Sequence, residues 1–247
     1  MENGKEAIEK IEKLIKDGLT VEVDGQVWTS ASLHPVIYNP IPATLIVHNL
    51  RGFCGFISSD IDSMIKGNPC LIVVNSPKSV DLISDVNKVE KKRTILVSAE
   101  TCDELKEFPF GKFLSQEEFA IAFRSLFVPG KKDDSEYVLS YISKLIGGSQ
   151  LESEEDGITQ KVTIKTGVSG VLKEKEVLKP IVKLTPYRTF REAEQPESEF
   201  LLRVRLDNNQ APLIALFEAD GGAWINQATE NVVHYIQSMV GDIPVIA

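Results

Sequence analysis

The stretch Glu199-Phe200-Leu201-Leu202-Arg203-Val204-Arg205-Leu206, followed by Asp207-Asn208-Asn209 and Pro212-Leu213-Ile214-Ala215-Leu216-Phe217, decides the fold class. Phe200, Leu202, Val204 and Leu206 alternate with Glu199, Leu201, Arg203 and Arg205. A period of two belongs to a strand with one buried and one open face. The Asp-Asn-Asn turn then sends the chain back as a second apolar run. Upstream, Val162, Ile164, Thr166 and Val168 alternate with Lys161, Thr163 and Lys165. Together these segments predict an antiparallel sheet. Gly221-Gly222 precedes a last helix with the core face Trp224, Ala228, Val232, Tyr235, Ile236 and Met239.

The chain before residue 148 is patterned differently. Ala7, Ile8, Ile11, Leu14 and Ile15 recur at helical spacing, and Asp17-Gly18 ends that run. Val21 to Trp28 alternates around Asp24-Gly25, a two-residue hairpin signal. Pro35, Pro40 and Pro42 break the chain into turns. Short strands at 44–47, 70–74 and 94–97 then alternate with helices. Asn49 caps one that carries Leu50, Phe53, Ile57, Ile61, Met64 and Ile65, with Gly67 as its stop. A short helix is expected at Ser79 to Val86. Ser115-Gln116-Glu117-Glu118 reads as a capping box opening a helix with Phe119, Ala122, Phe123 and Leu126 on one face. Another follows, with Val138, Tyr141, Ile142 and Leu145 inward. The expected class is α+β: an α/β half over residues 1–148, then an antiparallel β-rich half over 158–247 closed by the C-terminal helix. The small, acidic residues 149–157 are the expected linker.

Composition narrows the function classes. A chain of 247 residues with 43% apolar and 26% charged residues is long enough for a core of ordinary size. Its net charge of −9 opposes nonspecific nucleic-acid binding by the surface as a whole and leaves only a local patch for it. No run of about 18 apolar residues exists, so no membrane span is expected. The N-terminus Met1-Glu2-Asn3-Gly4-Lys5-Glu6 has no signal-peptide pattern. Three widely spaced cysteines, Cys54, Cys70 and Cys102, suit a reducing cytoplasm.

The sequence holds no P-loop, dinucleotide fingerprint, nucleophile elbow or His-Glu-x-x-His pattern. No catalytic residue, metal or cofactor is therefore expected. His34, His48 and His234 are far apart and read as structural or surface groups, and Cys54 reads as a buried apolar group. Three constellations remain. Residues 158–191 carry six lysines and two arginines against Glu174 and Glu176 alone, and Lys161 and Lys165 share a strand face that could meet phosphates or simply solvate the sheet. Tyr187, Arg188 and Arg191 lie in a Pro-bounded segment with Glu192, Glu194 and Glu197, near Arg203 and Arg205. Such a set can make an internal ion-pair network, a two-fold interface, or forks for an anion. Glu218, Asp220 and Trp224 flank Gly221-Gly222 at a strand-to-helix turn, where two carboxylates can cap the helix or hold Mg²⁺.

Three runs give the chain a family likeness: Asp156-Gly157-Ile158-Thr159-Gln160, Pro186-Tyr187-Arg188-Thr189-Phe190-Arg191-Glu192-Ala193-Glu194-Gln195-Pro196-Glu197-Ser198-Glu199-Phe200, and Phe217-Glu218-Ala219-Asp220-Gly221-Gly222-Ala223-Trp224. Through them it resembles a group of phage and prophage proteins of Gram-positive hosts, a domain of unknown function. Leu45-Ile46-Val47-His48-Asn49-Leu50, Phe108-Pro109-Phe110-Gly111 and Glu117-Glu118-Phe119 fit the same group. The resemblance implies a viral origin and a cytoplasmic role in the host, and it carries over no catalytic residue. The leading expectation is a non-enzymatic accessory protein, a homo-oligomer that binds a protein or nucleic-acid partner. The alternatives are a binder of an anionic, nucleotide-like small ligand and a metal-dependent enzyme using Glu218 and Asp220.

Overall fold

The computed structural model describes residues 5–10, 12–13, 20–23, 26–29, 42–86, 91–102, 104, 106–145, 150–155, 160–165, 178–209 and 211–247. The chain divides into two units, Met1–Pro42 and Ala43–Ala247. In the first, residues 5–10 and 12–13 are helical (α1). Strand β1 (Thr20–Val23) pairs antiparallel with β2 (Gln26–Thr29), Val21 opposite Trp28. That is the hairpin expected from the alternation around Asp24-Gly25. Leu14, Ile15, Pro35 and Pro40 lie outside the described residues.

The second unit begins with β3 (Leu45–Val47), α2 (Leu50–Ser59), β4 (Cys70–Ser76), β5 (Ser79–Ser84) and β6 (Ile95–Glu100). Then come β7 (Leu114–Ser115), α3 (Gln116–Leu126), α4 (Ser135–Ser143), β8 (Gln150–Glu155) and β9 (Gln160–Lys165). It closes with β10 (Ile181–Leu184), β11 (Ser198–Leu206), β12 (Pro212–Glu218), α5 (Ala223–Val240) and β13 (Val245–Ile246). The class is α+β.

Two sheets carry the two cores. The mixed sheet has the order β13-β4-β5-β6-β3, with β13 parallel to β4 and β3 parallel to β6. Helix α2 turns Leu50, Phe53, Cys54 and Ile57 inward, and α5 turns Ala228, Val232 and Ile236 inward. Both are single apolar stripes at helical spacing. They meet Ile72, Val74, Val80, Leu82, Val97 and Ala99 of the sheet. The antiparallel sheet has the order β10-β11-β12-β7. Phe119 and Phe123 of α3 and Val138, Tyr141 and Ile142 of α4 pack on Val182, Leu184, Phe200, Leu202, Val204, Ile214 and Leu216. Phe108, Phe119, Phe123 and Phe127 form a column of rings with centroids 4.2 to 5.8 Å apart.

The sequence halves do not separate. Strand β7 and helices α3 and α4, from before residue 148, complete the antiparallel sheet and its core. Helix α5 and β13, from the other half, cover and extend the mixed sheet. The expected linker is instead largely β8, paired to β9 with Leu151 opposite Ile164. Ser79–Ser84 is a strand, not a helix. Val80 and Leu82 are buried in alternation, and Pro77-Lys78 reverses β4 directly into it. Helix α2 stops at Ser59, well short of Gly67. Asp60 takes the left-handed conformation (φ 45°), and its carboxylate accepts from the N–H groups of Ile65 and Lys66. A side chain that binds backbone ahead of it competes with helix continuation. Met239, expected in the core, is half exposed.

The capping box of α3 is present. Ser115 Oγ accepts from the Glu118 N–H at 3.3 Å, and Glu118 Oε2 accepts from the Ser115 N–H at 3.1 Å. The Ser115 hydroxyl and N–H hold the Glu118 carboxyl below its usual pKa. Ser115→Ala is expected to cost about 1 kcal/mol, a fall of about 2–4 °C in a thermal melt followed by circular dichroism.

Candidate functional site

The run linking β10 to β11, residues 185–197, joins the two sheets. Thr185, Arg188, Thr189, Phe190, Ala193 and Gln195 are all buried. Phe190 and Ala193 enter the core of the mixed sheet, and the Thr189 hydroxyl donates to the Pro77 carbonyl in the β4–β5 turn. Gln195 holds the run in shape from inside. Its Oε1 accepts from the N–H groups of Arg188 (2.9 Å) and Thr189 (3.3 Å), and its Nε2 donates to the carbonyls of Phe190 (2.8 Å) and Ala193 (3.0 Å). One amide thereby satisfies four backbone groups that have little access to water.

Arg188 is consumed by the fold. Its side chain is 3% exposed, and Nη2 lies 2.6 Å from Glu218 Oε1. The guanidinium carbon sits 4.8, 5.0 and 4.5 Å from the ring centres of Phe110, Phe200 and Trp224. Burial pushes its pKa below the ordinary arginine value, while Glu218, Asp220 and Glu107 pull it back up. An arginine stays charged across such shifts, so the aromatic cage holds a cation. Among the three uses open to the arginine–carboxylate set, Arg188 and Glu218 take the internal ion pair. Glu218 stands at the end of β12 opposite Phe200, which aims it at Arg188. Asp220 acts elsewhere. Its Oδ1 accepts from the Gly222 N–H at 3.0 Å and shapes the turn into α5. The first helical residue of α5 follows Gly222, which takes φ 84° and supplies no side-chain cap.

Tyr187 and Arg191 face outward. The Arg191 guanidinium lies over the Tyr187 ring at 3.5 Å. Two adjoining hollows share Arg191 and Thr101. The smaller, about 30 Å³, is lined by Lys78, Thr101, Lys106, Glu107, Tyr187 and Arg191, with Arg188 and Thr189 at its floor. Lys78 pairs with Glu107 and Arg188 with Glu218, which leaves Lys106 and Arg191 as the lining cations without an ion pair among the described residues. The larger, about 270 Å³ and mainly apolar, is lined by His48, Asn49, Thr101, Cys102, Phe190, Arg191 and Glu192. It lies at the carboxyl ends of the parallel strands β3 and β6, beside the start of α2. Crevices at such strand ends are common ligand positions. The helix terminus itself is partly occupied: Asn49 Oδ1 accepts from the Gly52 N–H at 2.6 Å, and Glu192 Oε1 lies 3.5 Å from the Arg51 N–H. A third cleft, about 270 Å³, includes Asp220 and Trp224 but also Glu197 and Glu199, so its charge opposes anions.

The structure disperses the remaining candidates. Arg203 and Arg205 share the outer face of β11. Arg205 stacks 3.9 Å from the centre of Phe113, and Arg203 Nη1 donates to the Leu202 carbonyl at 3.3 Å. Lys161 and Lys165 lie on β9, opposite Glu154 and Gln150, and their side chains lie outside the described residues. Cys54 is buried in α2, and burial, then Glu192, pushes its thiol up to about 11. A thiol with that pKa is a poor nucleophile at neutral pH. Among the described residues no group of three or more His, Cys, Asp or Glu is placed to hold a metal ion. Sequence reading missed Gln195, Lys78, Thr101 and Lys106. Only Gln195 had a local signal, a lone amide inside an apolar and charged run. The other three reach the groove from the β4–β5 turn, the end of β6 and the loop that follows, through the tertiary fold. Comparison with family models, with curated proteins and with solved structures finds no match to this chain.

Proposed function

We propose that this is a binding protein whose groove captures a phosphate-bearing, nucleotide-like ligand, in an accessory role of the kind its resemblance to phage proteins implies. One observation carries the reading: a small basic pocket and a larger, mainly apolar cleft share Arg191 and Thr101 in their walls. The smaller admits about two water-sized groups, the scale of one phosphate. Lys106 and Arg191 supply its charge, and arginine is suited to phosphate oxygens through its planar fork. The larger cleft offers His48 to a flat organic group, over a floor closed by the buried Phe190.

Calorimetric titration with ATP, GTP and cyclic nucleotides tests it. At least one is expected to bind, and Arg191→Glu is expected to weaken binding at least tenfold, with Lys106→Glu adding to the loss. Inorganic phosphate is expected to bind more weakly than the nucleotide, since it leaves the apolar cleft empty. Absence of heat with every nucleotide, or full binding by Arg191→Glu, sinks the reading.

A further inference from the structure

The larger cleft has one carboxylate among its lining residues, Glu192. Glu192 follows Arg191 in the chain, and both line this cleft. Arg191 also lines the small basic pocket, and Glu192 does not. The Glu192 side chain is half-buried, with Oε1 3.5 Å from the Arg51 N–H at the start of α2. Among the described residues that long contact is its one hydrogen bond. A carboxylate offers about four acceptor positions and no donor, so most of its capacity faces the cleft unused. With Asn49 on the Gly52 N–H, the start of α2 is taken by the protein's own groups. A ligand phosphate is therefore turned away from Glu192 and toward Lys106 and Arg191, because like charges repel.

We propose that Glu192 accepts a hydrogen bond from the 2′-hydroxyl of the bound nucleotide, so that the groove selects ribonucleotides over 2′-deoxyribonucleotides. This rests on the reading of the groove as a nucleotide site. Order along the ligand matches order along the chain. With a phosphate at Arg191, the sugar is the next group of the ligand, and Glu192 is the next residue, about 3.8 Å on between Cα atoms. The base, one group further, is left to the apolar remainder of the cleft. A sugar hydroxyl is a neutral donor, which is what a half-buried carboxylate needs. Deoxyribose places a C–H there instead, and the carboxylate loses water without gaining a partner. Carboxylates hold the 2′-hydroxyl in this way in other nucleotide sites at the ends of parallel strands.

Calorimetric titration of the full chain with ATP, GTP, cyclic AMP and cyclic GMP, each against its 2′-deoxy counterpart, tests the proposal. For whichever nucleotide binds, the deoxy form is expected to bind between about ten- and a hundredfold more weakly, the value of a hydrogen bond to a charged group. Glu192→Ala is expected to bring the two forms within about twofold of each other, since the acceptor is gone. Glu192→Gln keeps the shape and one acceptor oxygen without the charge, and its ratio is expected to fall between. Arg191→Glu is expected to weaken both forms alike and leave their ratio unchanged. A merely structural role for Glu192 would lower both affinities together and would not move the ratio. Equal binding of both forms by wild type, or a preference that survives Glu192→Ala, overturns the proposal and leaves the groove reading standing. Absence of binding by every nucleotide removes the groove reading, and this proposal with it.

Discussion

Gln195→Ala is expected to destabilise the protein by about 3–5 kcal/mol, because the buried N–H groups of Arg188 and Thr189 and the Ala193 carbonyl lose their partner at once, while the Phe190 carbonyl keeps only the Ala193 N–H. The four bonds span 2.8 to 3.3 Å and all end on residues 188–193. Water cannot easily replace the amide, since the side chain is enclosed and Gln195 is only 5% exposed. Loosening this run also disturbs both cores, because Phe190 seats in one and Arg188 in the other. Gln195→Glu keeps both acceptor contacts but turns a carboxylate toward the carbonyls of Phe190 and Ala193, so it is expected to be no milder. Urea unfolding at neutral pH, read by tryptophan fluorescence, gives the midpoints. A loss below about 1 kcal/mol, the value of one ordinary hydrogen bond, would contradict the assignment of Gln195 as the internal support of this run.

The second large effect is an asymmetry within the Arg188–Glu218 pair. The Arg188 side chain is 3% exposed and that of Glu218 45%. Glu218→Gln therefore strands a buried cation, at a cost of about 3–5 kcal/mol. Arg188→Met leaves an anion that water reaches, and it keeps apolar volume between Phe110, Phe200 and Trp224, so about 1–3 kcal/mol is expected. Arg188→Ala adds an empty cage and returns the loss to about 3–5 kcal/mol. The double variant Arg188→Met with Glu218→Gln is expected to be more stable than Glu218→Gln alone. Denaturant midpoints of the four proteins form the cycle. Equal losses for Arg188→Met and Glu218→Gln would show that burial does not decide which partner matters.

The β11–β12 hairpin was legible in sequence because its signal is local, whereas the alternation at Val162 and Ile164, expected in the same sheet, pairs as β9 with β8 in a separate two-stranded sheet. Phe200, Leu202 and Val204 are buried and Arg205 is exposed, as the alternation requires. Ser115 and Glu118 likewise carry a complete start signal within four residues. Ser79–Ser84 misled because Val80, Leu82 and Ile83 fit either period over six residues, and the tight Pro77-Lys78 reversal decides for a strand. The interleaving of the halves was hidden, since nothing within α5 tells that its stripe meets β4 rather than the sheet next to it in sequence. The arginine-rich run drew notice for the right reason, charge beside aromatics. Periodicity is lacking there, so sequence could not divide it into an inner set, Arg188, Thr189, Phe190 and Gln195, and an outer set, Tyr187 and Arg191.

That division is the central claim, and thermal melting tests it directly, with wild type and Arg191→Glu each scanned with and without ATP and GTP. An outward Arg191 gives the variant a melting temperature within about 1–2 °C of wild type, since a surface change away from packing costs within about 0.5 kcal/mol. A groove ligand at a hundred times its Kd adds about 2.7 kcal/mol, about 5–10 °C for a unit of this size, to wild type alone. Contradiction would come as a variant that melts many degrees lower without ligand, or as a wild type whose melting no nucleotide moves.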